Sequence, residues 1–540
     1  MSMTDDFFRN RLDQMIDLRH PLAVLANRMP WQEIEASLAQ RFARQVRTGK
    51  KIEDMNMFGP TVAVAGAGVS NAGRPRLPTR LMISLLYLKH AFNESDEDVV
   101  QRWGETPSWQ YFSGNEYFEH RWPCDPTQLV KFRKLIGEEG VEEMLARTIE
   151  VAVTLKLIAK NELCRIIVDS TVQEKAIAHP TDSKLLETAR VKLVELAKSE
   201  GIALKQTYAK EGQRLGYKAG RYAHARQFKR MRKVIKRQRT VVGRLQREVQ
   251  RKLSTMTVAV RVSITETLNK TQRLIIQTKS HKTNNRAPKL YSWHAPEVEC
   301  ISKGKSRNPY EFGVKVGVAT TLKGNLIVGA RSFAGNPYDG HTLNEQVEQA
   351  SILMQRLDVA PQTVYVDLGY RGVDKDNTNI SIKHRGKFKS LTDEEKKLLK
   401  RRQAIEPIIG HLKADHRMNR CHLKGPDGDA VHAVLCAAGY NIRWLLRMIV
   451  KKGIGLFLRL LQATGLPVFA LALRQMLMSN QLKSSPMGSS LKLNFSGTIK
   501  CSFRSGFLYC ALDLLNRIPH KTLLPCVQTP LLDPAHQLSV

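Results

Sequence analysis

Four short apolar runs constrain what this chain can fold into. LCRIIVDS (163–170) and TVYVDLGYRG (363–372) are continuous apolar stretches of strand length, and each closes on an acid, Asp169 and Asp367. EFGVKVGVAT (311–320) alternates as a half-buried strand does, and NLIVGARSF (325–333) follows it after a Lys323–Gly324 turn. Residues 343–357 have helical periodicity, and Thr392 with Glu395 forms a capping box for a helix running toward residue 403. Strand, strand, strand, helix, strand, helix is the order of a mixed α/β sheet flanked by helices.

Something interrupts that sheet. Asp169 and Asp367 stand 198 residues apart, far too many for two strands and one helix, whereas setting aside 173–300 as an insertion leaves 70. Asp367 to Glu406 is 39 residues, room for one short strand near Asn379–Lys383 and the approach to a helix. Inside the insertion, residues 221–252 carry thirteen basic side chains, Arg230, Lys233, Arg237 and Arg244 among them, against one acid, Glu248. Met231, Ile235, Val242, Leu245 and Val249 recur at helical spacing, so the block reads as an amphipathic helix with one apolar seam. The seam needs a partner, either a helix at about 264–279 or the same block of a second subunit, which suggests an antiparallel helical hairpin. Thirteen to one exceeds what solubility requires and points to the phosphate backbone of a nucleic acid. The whole chain leans the same way, with 85 Lys+Arg against 50 Asp+Glu, a net charge of +35.

The remaining organisation follows from local signals. Residues 1–57 read as a helical segment, 58–78 as a Gly/Ala/Pro linker and 79–160 as a helical DNA-binding domain. Leu81, Leu85, Leu86 and Leu88 form a stripe behind Pro78, Ser95 caps an acidic helix, and breaks fall at Thr106–Pro107 and Asp125–Pro126, with a last helix from Gly140 to about Lys160. VAVAGAGVSNAG in the linker looks like a dinucleotide loop, but Arg74, Pro75, Arg76, Leu77 and Pro78 cannot open the helix such a loop requires. A flexible joint is the better reading, with Arg74 and Arg76 as phosphate contacts. Segments 161–172 and 301–450 make the sheet domain, 173–300 the insertion and 451–540 a tail whose periodicity fades after Ser479. Eight cysteines without a CxxC pair fit a reducing compartment. Asp5 and Asp6 stand where a signal peptide would be basic, and the apolar stretch Gly453–Leu477 is broken by Arg459, Gln462, Pro467 and Arg474, so a cytoplasmic protein with no membrane partner is expected.

Fifty acids make any three easy to find, so geometry must select among them. An acid at the end of a buried strand can face a cleft without being stranded in the core. If the strands of Asp169 and Asp367 are neighbours, their carboxylates converge, and divalent cations with a taste for hard oxygen ligands, such as Mg²⁺, would relieve the repulsion. A third candidate is Glu406 in LKRRQAIEPIIGHLKADHR: Arg402, Glu406, Lys413 and Arg417 return to one face of a helix, although an ordinary salt-bridge face would look the same and Pro407 should kink it. His411, His416, Cys421 and His422 match no zinc spacing. Asp339 and His341 in GNPYDGHT could touch DNA near the cleft, but turn formation by Asn336–Pro337 and Asp339–Gly340 is the blander reading.

Taken together, GRPRLPTRLMISLLYLKHAF, IIVDST, NPYEFGVKVGVATT, SFAGNPYDGHT, VYVDLGYRG and RRQAIEPIIGHLKADHRMNR resemble the DDE transposases of bacterial insertion sequences, nearest the insertion-sequence four and five groups. The resemblance covers about 78–450. It implies an RNase H-like core, an Asp169–Asp367–Glu406 triad holding two Mg²⁺ ions (with Mn²⁺ able to substitute), and Arg402 and Lys413 on DNA, to which the helical stripe adds Arg417. It further implies recognition of terminal inverted repeats, cleavage and strand transfer on double-stranded DNA, at least a homodimer in the paired-end complex, and a cytoplasmic, nucleoid-associated bacterial protein. That group's signature has a tyrosine where this chain has Leu399. Its better-known insertion also precedes the Glu helix, whereas here the insertion follows the first strand. A silent DNA-binding regulator and a non-transposing nuclease on the same fold are the competing readings.

Overall fold

The computed structural model describes residues 10–42, 47–56, 59–68, 76–253, 258–279, 289–302, 309–372 and 379–463. Arg74 and the tail beyond Ala463 lie outside them, so the expectations placed there have no structural counterpart. Helices α1 (Leu12–Met15), α2 (Pro21–Ala26) and α3 (Trp31–Ala39) open the chain. Strands β1 (Arg47–Asn56) and β2 (Gly59–Gly68) then pair antiparallel, with Asn56 opposite Gly59. A helical segment and a flexible linker were expected here, and a hairpin stands in their place. The ladder joins backbone groups, so it needs no apolar periodicity in the sequence.

Helices α4 (Thr79–Phe92), α5 (Asp96–Glu105), α6 (Pro107–Phe112) and α7 (Pro126–Thr154) follow the local signals closely. The Ser95 hydroxyl accepts from Asp98 N–H and the Asp125 carboxylate from Thr127 N–H, while Pro107 and Pro126 sit in first turns where their missing N–H costs nothing. The expected start at Gly140 is replaced by a break at Gly137, whose φ of 62° interrupts α7. Asp96 ties the bundle together by receiving both Arg133 nitrogens at 2.6 Å and Lys89 at 2.8 Å. Burial alone would raise its pKa, but these two cations outweigh it and hold Asp96 at about 2.

The sheet contains β3 (Arg165–Glu174), β4 (Glu299–Ser302), β5 (Tyr310–Thr321), β6 (Ile327–Phe333), β7 (Thr363–Tyr365) and β8 (Ser381–Lys383), in the order β4-β5-β3-β7-β8 with β6 also on β5. The β3–β5 and β5–β6 pairs are antiparallel, while β3–β7 and β7–β8 are parallel. The sheet is mixed, as the run order requires. Ile166 and Val168 face the main core, whereas Ile167 faces a smaller cluster with Leu322, Tyr365, Leu391, Leu399 and Ile405. Period-two alternation therefore puts Asp169 on the face of Ile167. Helices α12 (Asp339–Met354), α13 (Asp393–Lys400), α14 (Ile405–Asp415) and α15 (Gly425–Ala463) complete this region. The Thr392–Glu395 capping box forms as expected. The α15 span Gly425–Ile454 is long and apolar enough to cross a membrane, yet most of it is buried within the protein, as in a core helix.

The insertion supplies α8 (Asp182–Ser199), α9 (Ala209–His224), α10 (Phe228–Lys252) and α11 (Val258–Lys279), which enclose a separate apolar core. The expected hairpin is thus a four-helix unit, and the basic block is two helices broken at Arg226, where φ is +55°. Val242, Leu245 and Val249 are fully buried there beside Ile264, Leu268 and Leu274, while Met231 and Ile235 are only partly covered. Both ends of the insertion are pinned by one buried ion cluster. Lys175 bonds Glu297 at 2.9 Å and Asp429 at 2.8 Å, and Glu297 also accepts Gly425 N–H at 2.9 Å.

Candidate active site

Asp169 and Asp367 reach the same place because their strands are parallel neighbours: Ile167 pairs with Tyr365, and each acid lies two residues further on. Asp367 ends the extended segment and caps a single 3₁₀ turn, accepting Gly369 N–H at 2.8 Å. Asp169 is mostly buried and accepts Ser170 N–H at 2.8 Å. Burial pushes its carboxyl up, the negative charges of Asp367 and Asp339 add to that, and the Ser170 N–H and Arg402 only partly compensate, leaving it at about 6.

Glu406 enters from α14. Pro407 does not kink a longer helix as expected; the chain is 3₁₀ from Arg401 to Ala404 and becomes α-helical at Ile405, so the proline falls in a first turn. Arg402 then spans two acids, with Nη1 3.5 Å from Asp169 Oδ2 and Nη2 3.6 Å from Glu406 Oε1. Glu406 itself remains well exposed. Lys413 pairs with Glu311 at 3.7 Å. Arg417 leaves the expected stripe, because α14 ends at Asp415; with φ of 70° it turns its guanidinium to the Asn93 carbonyl at 3.2 Å. Leu399 is packed into the small core under β3.

The turn residue Asp339 also belongs to this place. Its Oδ1 accepts Ser170 Oγ at 2.9 Å and Lys315 Nζ at 3.0 Å. Sequence reasoning weighed it as a turn former and did not single out Ser170, Lys315 or Tyr370; the only signal was an acid at the start of a helix after a Gly-Asn-Pro turn. Among the described residues, then, four carboxylates (Asp169, Asp339, Asp367, Glu406) meet two cations (Lys315, Arg402). The fully buried Tyr370 hydroxyl, beside Thr342 and short of a well-aligned hydrogen bond, is near enough to the first three acids to feel their negative charge. An excess of carboxylate oxygen over cations in a partly enclosed cluster fits a hard divalent cation with bound water.

Elsewhere, His411 is exposed on Asp415, and His416 is buried against the His90 carbonyl at 2.8 Å. A different trio, His90, His432 and Cys436, comes together in the core between α4 and α15. Burial holds both imidazoles neutral, His432 at about 3, and neighbouring Lys89, Arg133 and Arg417 oppose a further cation there. In the insertion, Arg230, Lys233 and Arg244 are exposed, and Arg237 pairs with Glu211 at 2.7 Å. Arg244, Arg247 and Arg251 line an open groove of about 960 Å³ with Lys205 and Tyr208.

A carboxylate cluster at the ends of neighbouring parallel strands, flanked by a glutamate helix, is an arrangement that suits hard divalent cations. Comparison with known proteins makes this specific. Residues 50–135 match the family described as Transposase domain (DUF772), and 275–442 match the Transposase DDE domain. The chain belongs to the insertion-sequence DDE transposases. Membership implies an RNase H-like fold, DNA as partner and general use of divalent metal ions. Asp367 and Glu406 lie inside the DDE match, and Asp169 lies before it, cut off by the insertion. A protein from Rhizobium meliloti, "Uncharacterized protein ORF8 in nfe locus", is 42% identical over 224 residues, which are 42% of this chain and 95% of that protein. No solved structure matches the chain.

Proposed function

We propose that this transposase binds the terminal inverted repeats of its own element, cleaves there in a Mg²⁺-dependent reaction and joins the freed ends to target DNA. The observation that carries the reading is the meeting of Asp169 and Asp367 on adjacent parallel strands, with Arg402 tying Glu406 to Asp169. Asp169, Asp367 and Glu406 would hold the ions, two by preference. Bound divalent cations would activate water and stabilise the attacking and leaving oxygens.

The reaction is a pair of in-line displacements at phosphorus. Water displaces the 3′ oxygen at the element's end, and the resulting 3′-hydroxyl displaces a 3′ oxygen in target DNA. No protein nucleophile is needed. Arg402, beside both acids, would meet the scissile phosphate, and Lys413, further along in α14, would hold a phosphate further from it. The α9–α10 surface, with Arg230, Lys233, Arg237 and Arg244, would neutralise phosphates along the flank of the bound end. Paired ends imply two copies or more. The test is Glu406→Gln, nearly isosteric but a poor cation ligand: end binding should persist while nicking and joining of end-containing DNA are lost. Joining at the wild-type rate would overturn the assignment. A wild-type protein that binds ends without nicking would be a regulator, and one that nicks without joining a nuclease.

A further inference from the structure

The mouth of the carboxylate cluster is built around Gly369. A Cβ there would lie 3.0 Å from Asp367 Oδ1 and 3.2 Å from Asp339 Oδ2, so both oxygens border the space that a side chain at this position would fill. The backbone at Gly369 donates to Asp367, and the space left by the missing Cβ is shared by both carboxylates. Asp339 is held rigidly for its position at the start of α12. Ser170 Oγ and Lys315 Nζ both bond Oδ1, Lys315 also bonds the Pro337 carbonyl at 2.5 Å, and Thr342 Oγ1 closes the turn on the Asp339 carbonyl at 2.7 Å. Oδ2 is thereby left as the oxygen beside Gly369.

We propose that Asp339 is a fourth carboxylate of the cation-binding centre, offering Oδ2 to a divalent ion shared with Asp367 while Ser170 and Lys315 anchor Oδ1. A helix N-terminus would not support this by itself. Two further features do. Ser170 is a physical link between the acids, since its N–H bonds Asp169 and its hydroxyl bonds Asp339. Tyr370 is fully buried beside Thr342, with a hydroxyl left short of a well-aligned hydrogen bond and near enough to Asp339, Asp169 and Asp367 to feel their negative charge. A water on the bound ion would give that hydroxyl a partner. Two oxygens on one Mg²⁺ or Mn²⁺ stand roughly 3–4 Å apart, a closure that small rotations of two neighbouring carboxylates can supply. Lys315 keeps the net charge of the cluster moderate, as Arg402 does on the other side.

The proposal rests on reading Asp169 and Asp367 as cation ligands, and its test separates the two ideas. Mn²⁺ binding to the full-length protein without DNA is measured by loss of the free-ion electron paramagnetic resonance signal near pH 7.5. Asp339→Asn should weaken Mn²⁺ binding at least about tenfold, as should Asp169→Asn, and Ser170→Ala should weaken it a few-fold. Asp339→Asn combined with Lys315→Met, which leaves no unpaired lysine, should still bind weakly at an unchanged melting temperature. Wild-type affinity in Asp339→Asn with loss in Asp169→Asn would overturn the role of Asp339 and leave the triad standing. Wild-type affinity in both would overturn both. If Asp339→Asn does not fold, Ser170→Ala decides: an unchanged Kd there defeats the proposal.

Discussion

The carboxylate cluster and the basic insertion are both rich in charge, and they handle it in opposite ways. Asp169, Asp339 and Asp367 come from three distant stretches of sequence, are largely enclosed, and bond to Ser170, Lys315, Gly369 and Arg402. Arg230, Lys233 and Arg244 come from one helix and face solvent. Enclosed charges interact strongly and set pKa values and metal affinity; exposed ones are screened and act mainly by releasing counterions from DNA. Under the proposed function, position relative to water, more than the number of charges, decides which region would do chemistry and which would grip a polymer.

The largest effect should come from breaking the enclosed side. Asp169→Asn and Asp367→Asn are expected to abolish strand joining, a loss beyond about 10³-fold, with end binding preserved; gel assays of binding and joining on the same DNA check both halves. Next is the enclosed ion cluster of the N-terminal bundle. Asp96→Asn strands Arg133 and Lys89, which are 4% and 10% exposed, and should cost about 3–5 kcal/mol in urea denaturation. Full stability in that variant would show that burial does not separate the two regions as argued.

The pH dependence sharpens the contrast. Asp169 is held at about 6, above its unfolded value, so the folded state binds more protons than the unfolded chain between about pH 4 and 6. Its contribution therefore falls as pH rises through that window, by at most about 3 kcal/mol, and Asp169→Asn should flatten the slope. Added Mg²⁺ should restore stability above pH 6, since it favours the ionised carboxyl.

On the exposed side, replacing Arg230, Lys233, Arg237 and Arg244 with Gln should weaken binding equally on specific and random DNA. It should also reduce the log–log salt slope by roughly 0.9 for each phosphate that is no longer neutralised. An unchanged slope would leave these helices as a solvated or protein-binding surface. Smallest of all, Glu211→Gln removes the partner of Arg237 at an exposed position and should change the melting temperature little, because water and salt screen such pairs.

Much of the site was legible because it rests on local rules. Asp169 and Asp367 were visible as acids closing buried runs, and Thr392–Glu395 as a cap, since alternation and capping are properties of a few consecutive residues. Asp339 was legible as a turn former or as a DNA contact near the cleft, not as a partner of the other acids; its contacts with Ser170 and Lys315 span 169 and 24 residues, and no local pattern encodes them. The place of Arg417 on the stripe was misread for a related reason: the stripe assumed a continuous helix, and the helix stops two residues earlier.

By itself the sequence determined the class of sheet, the presence of an insertion with its excess of basic charge, and a family resemblance that the two domain matches support. These follow from composition, periodicity and short motifs, all carried by neighbours along the chain. The tertiary structure decided that β1 and β2 pair where a joint was expected, that the insertion closes into four helices around its own core, and that Asp339 and Asp367 both border Gly369. Each is a contact between segments whose partners the chain does not name locally, and each is selected only when buried backbone groups, apolar faces and charges must all be satisfied at once.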